Sequence, residues 1–262
     1  AAVLVVMPSD HAISDDTRFI EAVRRAAKVA ATGRLVLFGI QPKTPHTGFG
    51  YIRQGMSVEG FANAAFEVEE FCEKPDAATA RRYLDQGDYY WNSGIFVLNA
   101  RVFLEELADH EPRILDAARG ALGNAIDDLG FMRLDRTCFA QSPNISVDYA
   151  VMEKTKAAAM LPIDVGWNDV GSWASLWEIS KHDDKGNVVN GEAILEDTDN
   201  CYIHSQRSLV STIGVKDLVI VDTPDAILVA DRSRSQDVGK VVARLKQSNR
   251  KEQEQHLRNY RP

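Results

Sequence analysis

Hydrophobic residues are patterned in two ways along this chain, and the change falls at the polar stretch Lys181 to Glu192. Before it, short apolar runs without alternation, Val3 to Met7 and "RLVLFGI" (Arg34 to Ile40), read as strands buried on both faces of a sheet. Between them "SDDTRFIEAVRRAA" sets Phe19, Ile20, Val23 and Ala27 at helical spacing, with Ser14 able to cap and Asp15 and Asp16 suited to a helix N-terminus. The chain therefore opens with a predicted β-α-β unit, for which parallel pairing is expected. A strand buried on both faces at residue 3 needs neighbours on either side, so later strands supply them all or the sequence lacks its beginning.

The prolines, glycines and threonines of Gln41 to Gly60 break regular structure until "YIRQG". "AAFEVEEFCEKPD" then alternates as a half-buried strand stopped by Pro75, and "DAATARRYLDQG" is a helix closed by Gly87. "YYWNSGIFVLNARVFLEELADH" predicts an aromatic turn, a strand over "GIFVLN" and a helix. Glu111 to Thr137 reads as largely helical, and "SVDYAVMEKT" as a helix starting at Ser146. Beyond Glu192, "AILE", "CYIHS", "LVSTIGV", "LVIVDT" and "AILVADR" are short strands with turn signals, followed by an amphipathic helix and a charged tail. The expected organisation is an α/β domain over 1–182 with its N-terminal part missing, a small β-rich domain over 183–248 ending in a helix, and a polar linker over 249–262.

Composition narrows the function. The formal charge of -8 over 262 residues offers no basic face for nucleic acid. No apolar run approaches membrane-spanning length, and no basic flank marks a signal peptide. Cys72, Cys138 and Cys201 are dispersed and form no CxxC, which suits reduced thiols and a cytoplasmic location. The six histidines lack zinc-ligand spacing.

Candidate chemistry concentrates at strand ends, where ligands bind in open α/β sheets. Asp10 follows the first strand; alone it is as well explained by a turn that satisfies backbone amides. Asp169, in "LPIDVGWNDVGSW", is a second acid after a strand, flanked by glycines, and could equally form an Asx turn packed by Trp167 and Trp173. Two such carboxylates brought together would repel without a cation, and magnesium bound by one or two carboxylates and substrate phosphates is the usual solution. In "FCEKPD", Lys74 suits a phosphate and Glu73 the hydroxyls of a sugar, although a surface ion pair before a proline is the commoner case. "TGFGYI" supplies a close-approach loop with Gly48 and Gly50 beside Tyr51, and "YWNSG" offers Asn92 as donor and acceptor.

In this order and spacing, "VMPSDH", "TPHTGFGYI", "CEKPD", "GDYYWNSGIFVLNA", "SVDYAVMEKT" and "GWNDVGSWASLWEI" resemble the nucleotidyltransferase part of bacterial mannose-1-phosphate guanylyltransferases. The bifunctional type, which also carries a C-terminal phosphomannose isomerase, is the nearest likeness, and it extends over essentially the whole chain. The resemblance implies an α/β fold: a Rossmann-like, GT-A-like nucleotidyltransferase whose mixed, mostly parallel sheet is flanked by helices, followed by a small β-rich domain. It implies that Asp10 and Asp169 hold Mg2+, that Lys74 meets the sugar phosphate, and that Glu73 and Asn92 meet the mannose. Thr47, Gly48 and Tyr51 would belong to a loop over the sugar. Phe49 stands where relatives often carry tyrosine, and Asp148 is a family signature without a derivable role.

The implied reaction joins GTP and mannose 1-phosphate into GDP-mannose and pyrophosphate. Relatives begin with a glycine-rich, arginine-bearing phosphate loop and continue past "RNYRP" into the isomerase. The chain accordingly reads as an internal portion of a longer protein, inactive alone and linked to an isomerase domain, with its β domain a surface for self-association. A metal-dependent glycosyltransferase and a non-catalytic nucleotide-sugar-binding or assembly module stay open as alternatives.

Overall fold

The computed structural model describes residues 2–248, which fall into two units: residues 2–9 with 13–167, and residues 10–12 with 168–248. The expected linker at 249–262 lies outside the described residues.

In the first unit the elements run β1 (Val3–Val6), α1 (Asp16–Ala31), β2 (Leu35–Ile40), β3 (Tyr51–Ser57), β4 (Phe66–Cys72), α2 (Ala77–Gln86), β5 (Tyr89–Asn99), α3 (Ala100–His110) and α4 (Pro112–Gly123). They continue through β6 (Ile126–Asp128), β7 (Phe131–Arg133), α5 (Arg136–Phe139), a π-helical turn (Asp148–Met152) and β8 (Ala158–Ile163). Six strands form a mixed sheet in the order β1-β5-β2-β8-β4-β3, with an additional β5–β3 pairing. Four of the six run the same way, with β4 and β5 against them, but within this sheet only β2–β8 pairs in parallel: the sheet is mixed, as expected, yet its ladders are mostly antiparallel rather than mostly parallel, because β4 and β5 stand between strands of the other direction. The expected direct pairing of β1 with β2 does not form, because β5 lies between them, antiparallel to both. A crossover helix sets the relative direction of two strands, but a later strand can still take the place between them.

The core explains the apolar runs. Val36 and Phe38 of β2, with Ile95, Val97, Ala159 and Leu161 of its neighbours, pack under Ala22, Ala26 and Val29 of α1. On the other face Leu35, Leu37, Phe96, Leu98 and Met160 meet Leu107, Leu115 and the π-turn's Ala150 to Met152. Both faces of β2 are thus covered, as its sequence predicts. The opening strand differs: Leu4, Val5 and Val6 are 42%, 45% and 45% exposed, so within the described sheet β1 is an edge strand rather than one buried on both faces. An apolar run announces a strand without naming the elements that cover it.

Local chemistry corrects four further expectations. Asp15 rather than Ser14 caps α1, accepting a hydrogen bond from the Arg18 amide at 2.9 Å, while Ser14 Oγ donates to the Val165 carbonyl. The aromatic segment Tyr89 to Gly94 is part of β5 rather than a turn, since Trp91 and Asn92 pair with both β2 and the β3 segment. The expected helix over 111–137 is interrupted by the β6–β7 hairpin, where Leu129 and Gly130 take positive φ values of 55° and 85°. "SVDYAVMEKT" forms the π-helical turn, closed by the Glu153 amide donating to the Asp148 carbonyl at 2.9 Å.

The second unit contains α6 (Trp173–Ile179), β9 (Val188–Asn190), β10 (Ala193–Glu196), β11 (Tyr202–Ser205), β12 (Val210–Ile213), β13 (Leu218–Asp222), β14 (Ile227–Asp231), a 3-10 helix (Arg232–Asp237) and α7 (Val238–Gln247). The expected β-rich region is present, and its strands stack in parallel columns, β9-β11-β13 and β10-β12, with an Asp199–Lys216 bridge as a third. The chain winds as a short parallel β-helix, and antiparallel β14 covers its last coil. Corners hold the coils together. Asn187 Oδ1 accepts from the Cys201 amide at 2.9 Å, its Nδ2 donates to the Thr198 carbonyl at 2.8 Å, and the Thr198 and Thr212 hydroxyls meet at 2.9 Å. The Cys201 thiol, fully buried, accepts from the Leu218 amide and donates to the Asp199 carbonyl. At Gly191, φ is 109° and a Cβ would stand 2.1 Å from the Ser205 carbonyl of the next coil, so only glycine turns this corner without displacing backbone.

Candidate functional site

In the first unit β3 runs between β4 and β5, and Gly50 lies one residue before it with its carbonyl accepting from the Asn92 amide at 2.8 Å. Glu73 and Lys74 follow β4. Lys74 adopts φ +50°, a left-handed corner unusual for a residue with a side chain. Its ammonium reaches Glu73 Oε1 at 3.1 Å, and the Glu73 side chain is only 8% exposed. The Glu73 amide donates to Glu153 Oε1 at 2.9 Å. The second carboxylate oxygen, Glu73 Oε2, is buried without a hydrogen-bond partner. It lies against Gly50, where a Cβ would approach it to 2.4 Å, so position 50 keeps space open beside an unsatisfied acceptor.

Asn92, 8% exposed, completes the cluster: its Nδ2 donates to Asp148 Oδ1 at 2.9 Å and its Oδ1 accepts from the Gly94 amide at 3.2 Å. Burial raises the pKa of Glu73 above the ordinary glutamate value and outweighs the hydrogen bond from Lys74. Burial likewise raises Asp148 against the opposing hydrogen bond from Asn92. The hydrogen bond to Glu73 raises Lys74, which stays cationic. One ammonium, two buried carboxyls and a fixed carboxamide around a glycine floor can receive a ligand that has both hydroxyls and an anionic group.

Thr47 and Gly48 are exposed in the adjoining loop, where the Gly48 amide donates to His46 Nδ1 at 3.1 Å. His46 stacks on Phe49 at 4.0 Å between centroids, and Phe49 meets Trp91 and Trp167 edge-on at 5.1 and 5.5 Å. Tyr51 is fully buried and donates its hydroxyl to the His46 carbonyl at 3.0 Å, so it braces the loop from beneath.

Asp10 and Asp169 belong to the second unit. Their segments are joined by reciprocal backbone hydrogen bonds, Ala12 amide to Asn168 carbonyl at 2.8 Å and Asn168 amide to Ala12 carbonyl at 3.0 Å. Val170, at φ +51°, is fastened by Asn168 Oδ1, and Gly171 leaves room for the Asp169 carboxylate, which a Cβ there would meet at 2.4 Å. Among the described residues neither carboxylate forms an ion pair, and no group of three or more His, Cys, Asp or Glu is placed to hold a metal. Carboxylates are the donor type a hard cation takes, with phosphate oxygens and water completing its shell. The first unit thus gathers Glu73, Lys74 and Asn92, and adds Glu153, which no sequence signal singled out.

Residues 1–186 match the nucleotidyl transferase family, and the chain belongs to that family. Residues 191–245 match the MannoseP isomerase/GMP-like β-helix domain. Similar proteins include the mannose-1-phosphate guanylyltransferase ManC of Salmonella typhimurium, 50% identical over 99% of this chain and 54% of that protein. The mannose-1-phosphate guanylyltransferase of Escherichia coli K12 is 49% identical over 99% of this chain and 54% of its own length. The chain spans about half the length of these curated relatives. A solved structure described as a mannose-1-phosphate geranyltransferase from Thermus thermophilus superposes with a TM-score of 0.80 at 32% identity, covering 94% of this chain and 70% of that one.

Proposed function

We propose that this protein forms GDP-mannose and pyrophosphate from GTP and mannose 1-phosphate. The observation that carries the reading is the buried, unpartnered Glu73 Oε2 beside the Lys74 ammonium and the Gly50 floor. A sugar hydroxyl would satisfy that oxygen, and a sugar phosphate would sit against the lysine. The names of the relatives, similar over nearly the whole chain, support the same substrates.

In this reaction a phosphate oxygen of mannose 1-phosphate bonds to the α-phosphorus of GTP. The bond from the α-phosphorus to the bridging oxygen breaks, and its electron pair leaves with pyrophosphate. The nucleophile is already an anion, so the protein needs no general base. Lys74 holds the incoming phosphate, Glu73 and Asn92 fix the sugar, Thr47 and Gly48 cover it, and Tyr51 braces that loop; the gain is alignment and charge neutralisation. Asp10 and Asp169 would hold Mg2+, whose chemistry is to offset charge building on the nucleotide phosphates. A covalently linked isomerase domain is part of the same proposal, given relatives about twice as long.

The test, run on the full-length protein, is pyrophosphate release, with GDP-mannose identified as the product, using GTP and mannose 1-phosphate together and each alone. Both products should appear only with both substrates and a divalent cation. Transfer of mannose from GDP-mannose with release of GDP, and no pyrophosphate from GTP, would make it a glycosyltransferase. Binding without turnover would make it a binding module.

A further inference from the structure

The π-helical turn reaches two sides of this cluster at once. At its start, Asp148 Oδ1 holds Asn92 of β5; just past its end, Glu153 Oε1 holds the amide of Glu73 at the corner after β4. These residues are five apart. In an α-helix, at 3.6 residues per turn, a five-residue separation leaves side chains about 140° apart around the axis. A turn closed from residue i to i+5 brings them back toward one side, and the Glu153 amide to Asp148 carbonyl bond at 2.9 Å is that closure. Between them Ala150, Val151 and Met152 are buried in the core, so the turn is anchored along its length. Lys154, next in sequence, is tied outward to Glu111 at 2.8 Å, away from the cluster.

We propose that this turn is a spacer clamp and that Glu153 is a positioning residue. It holds the Glu73–Lys74 corner at a set distance from Asn92 and so governs recognition of the sugar phosphate without touching it. The corner needs such a hold: Lys74 sits in a left-handed conformation that a side chain resists, and the Glu73 amide next to it has Glu153 as its acceptor. The inference rests on reading the cluster as the sugar phosphate site.

Three variants test it in the full-length protein: Glu153→Ala removes the acceptor, Glu153→Gln keeps one, and Lys154→Ala cuts the outward tie. Glu153→Ala should raise KM for mannose 1-phosphate about tenfold while leaving KM for GTP within about twofold. Glu153→Gln should restore most of the loss, and Lys154→Ala should show none of it. Hydrogen exchange at the Glu73 amide should speed up in Glu153→Ala alone. Equal rises in both KM values, unchanged exchange at Glu73, or the same losses in Lys154→Ala would overturn the clamp. If the unsubstituted full-length protein turns over neither substrate, the proposed function falls, and exchange at Glu73 decides the clamp by itself.

Discussion

Two pairs of carboxylates contrast sharply in their surroundings. Glu73 and Asp148 are withdrawn from water and already hydrogen-bonded by Lys74 and Asn92. Asp10 and Asp169, tied together through backbone at Ala12 and Asn168, have no cationic partner among the described residues. A buried acid with a fixed partner recognises a ligand by shape and hydrogen bonding, and its charge is expensive to keep. An acid left without a cation attracts one from outside. Under the proposed reaction, the protein supplies sugar recognition ready-made, while the charge balance on the nucleotide side arrives with the substrates.

The largest effect should come from the unpartnered pair. Asp169→Asn and Asp10→Asn are each expected to lower kcat by at least about a thousandfold, about 4 kcal/mol of transition-state stabilisation, with the circular dichroism spectrum and unfolding midpoint unchanged. Steady-state pyrophosphate release measures this, and activity within about tenfold of the parent would remove that residue from the proposed metal site.

The next effect tests whether the buried pair faces one substrate. Lys74→Ala should cost about a hundredfold in kcat/KM for mannose 1-phosphate and little for GTP, because under the proposed reaction the lost charge would serve a single phosphate. Separate titrations of the two substrates would reveal an equal loss for both, which would place the lysine between them.

The smallest effect is in pH. Burial holds the Glu73 pKa above its ordinary 4.5, so the carboxyl takes up a proton earlier on acidification than an exposed glutamate does. For the free protein the sign favours acid: this group's contribution to stability is full below the unfolded pKa and is lost as pH rises through the folded one. Under the proposed reaction sugar binding runs the other way, since a sugar hydroxyl would donate to the carboxylate. KM for mannose 1-phosphate should therefore rise on acidification from neutrality toward that raised pKa, and a pH profile of Glu73→Gln should lose this rise. A profile identical in the two proteins would show that Glu73 does not titrate against the sugar.

Much of this was legible in the residues themselves. The unbroken apolar run of β2 implied cover on both faces, and Pro75, Asp76 and Gly87 marked the limits of β4 and α2. Motif order brought out Glu73, Lys74 and Asn92. What the sequence hid depends on neighbours distant along the chain. The run in β1 looks like that in β2, yet only the sheet order shows which is covered. "SVDYAVMEKT" has the composition of a helix, and the extra residue that makes it a π-turn has no compositional mark. The β-helix was concealed by unequal coils: Val188, Tyr202 and Val219 stack in one column although they are 14 and then 17 residues apart, so no fixed repeat appears.

Cys201 gives the β-helix an internal clock. Its thiol is fully buried and hydrogen-bonded between Asp199 and Leu218, and burial raises its pKa, so little of it is the reactive thiolate. A reagent reaches it only when neighbouring coils part. Cys72 and Cys138 are half-buried and belong to the other unit. Alkylation of Cys201 in the folded protein therefore proceeds at a pace set by how often the winding opens and for how long, and its lag behind the other two thiols expresses the coil-to-coil cohesion of that domain as a waiting time.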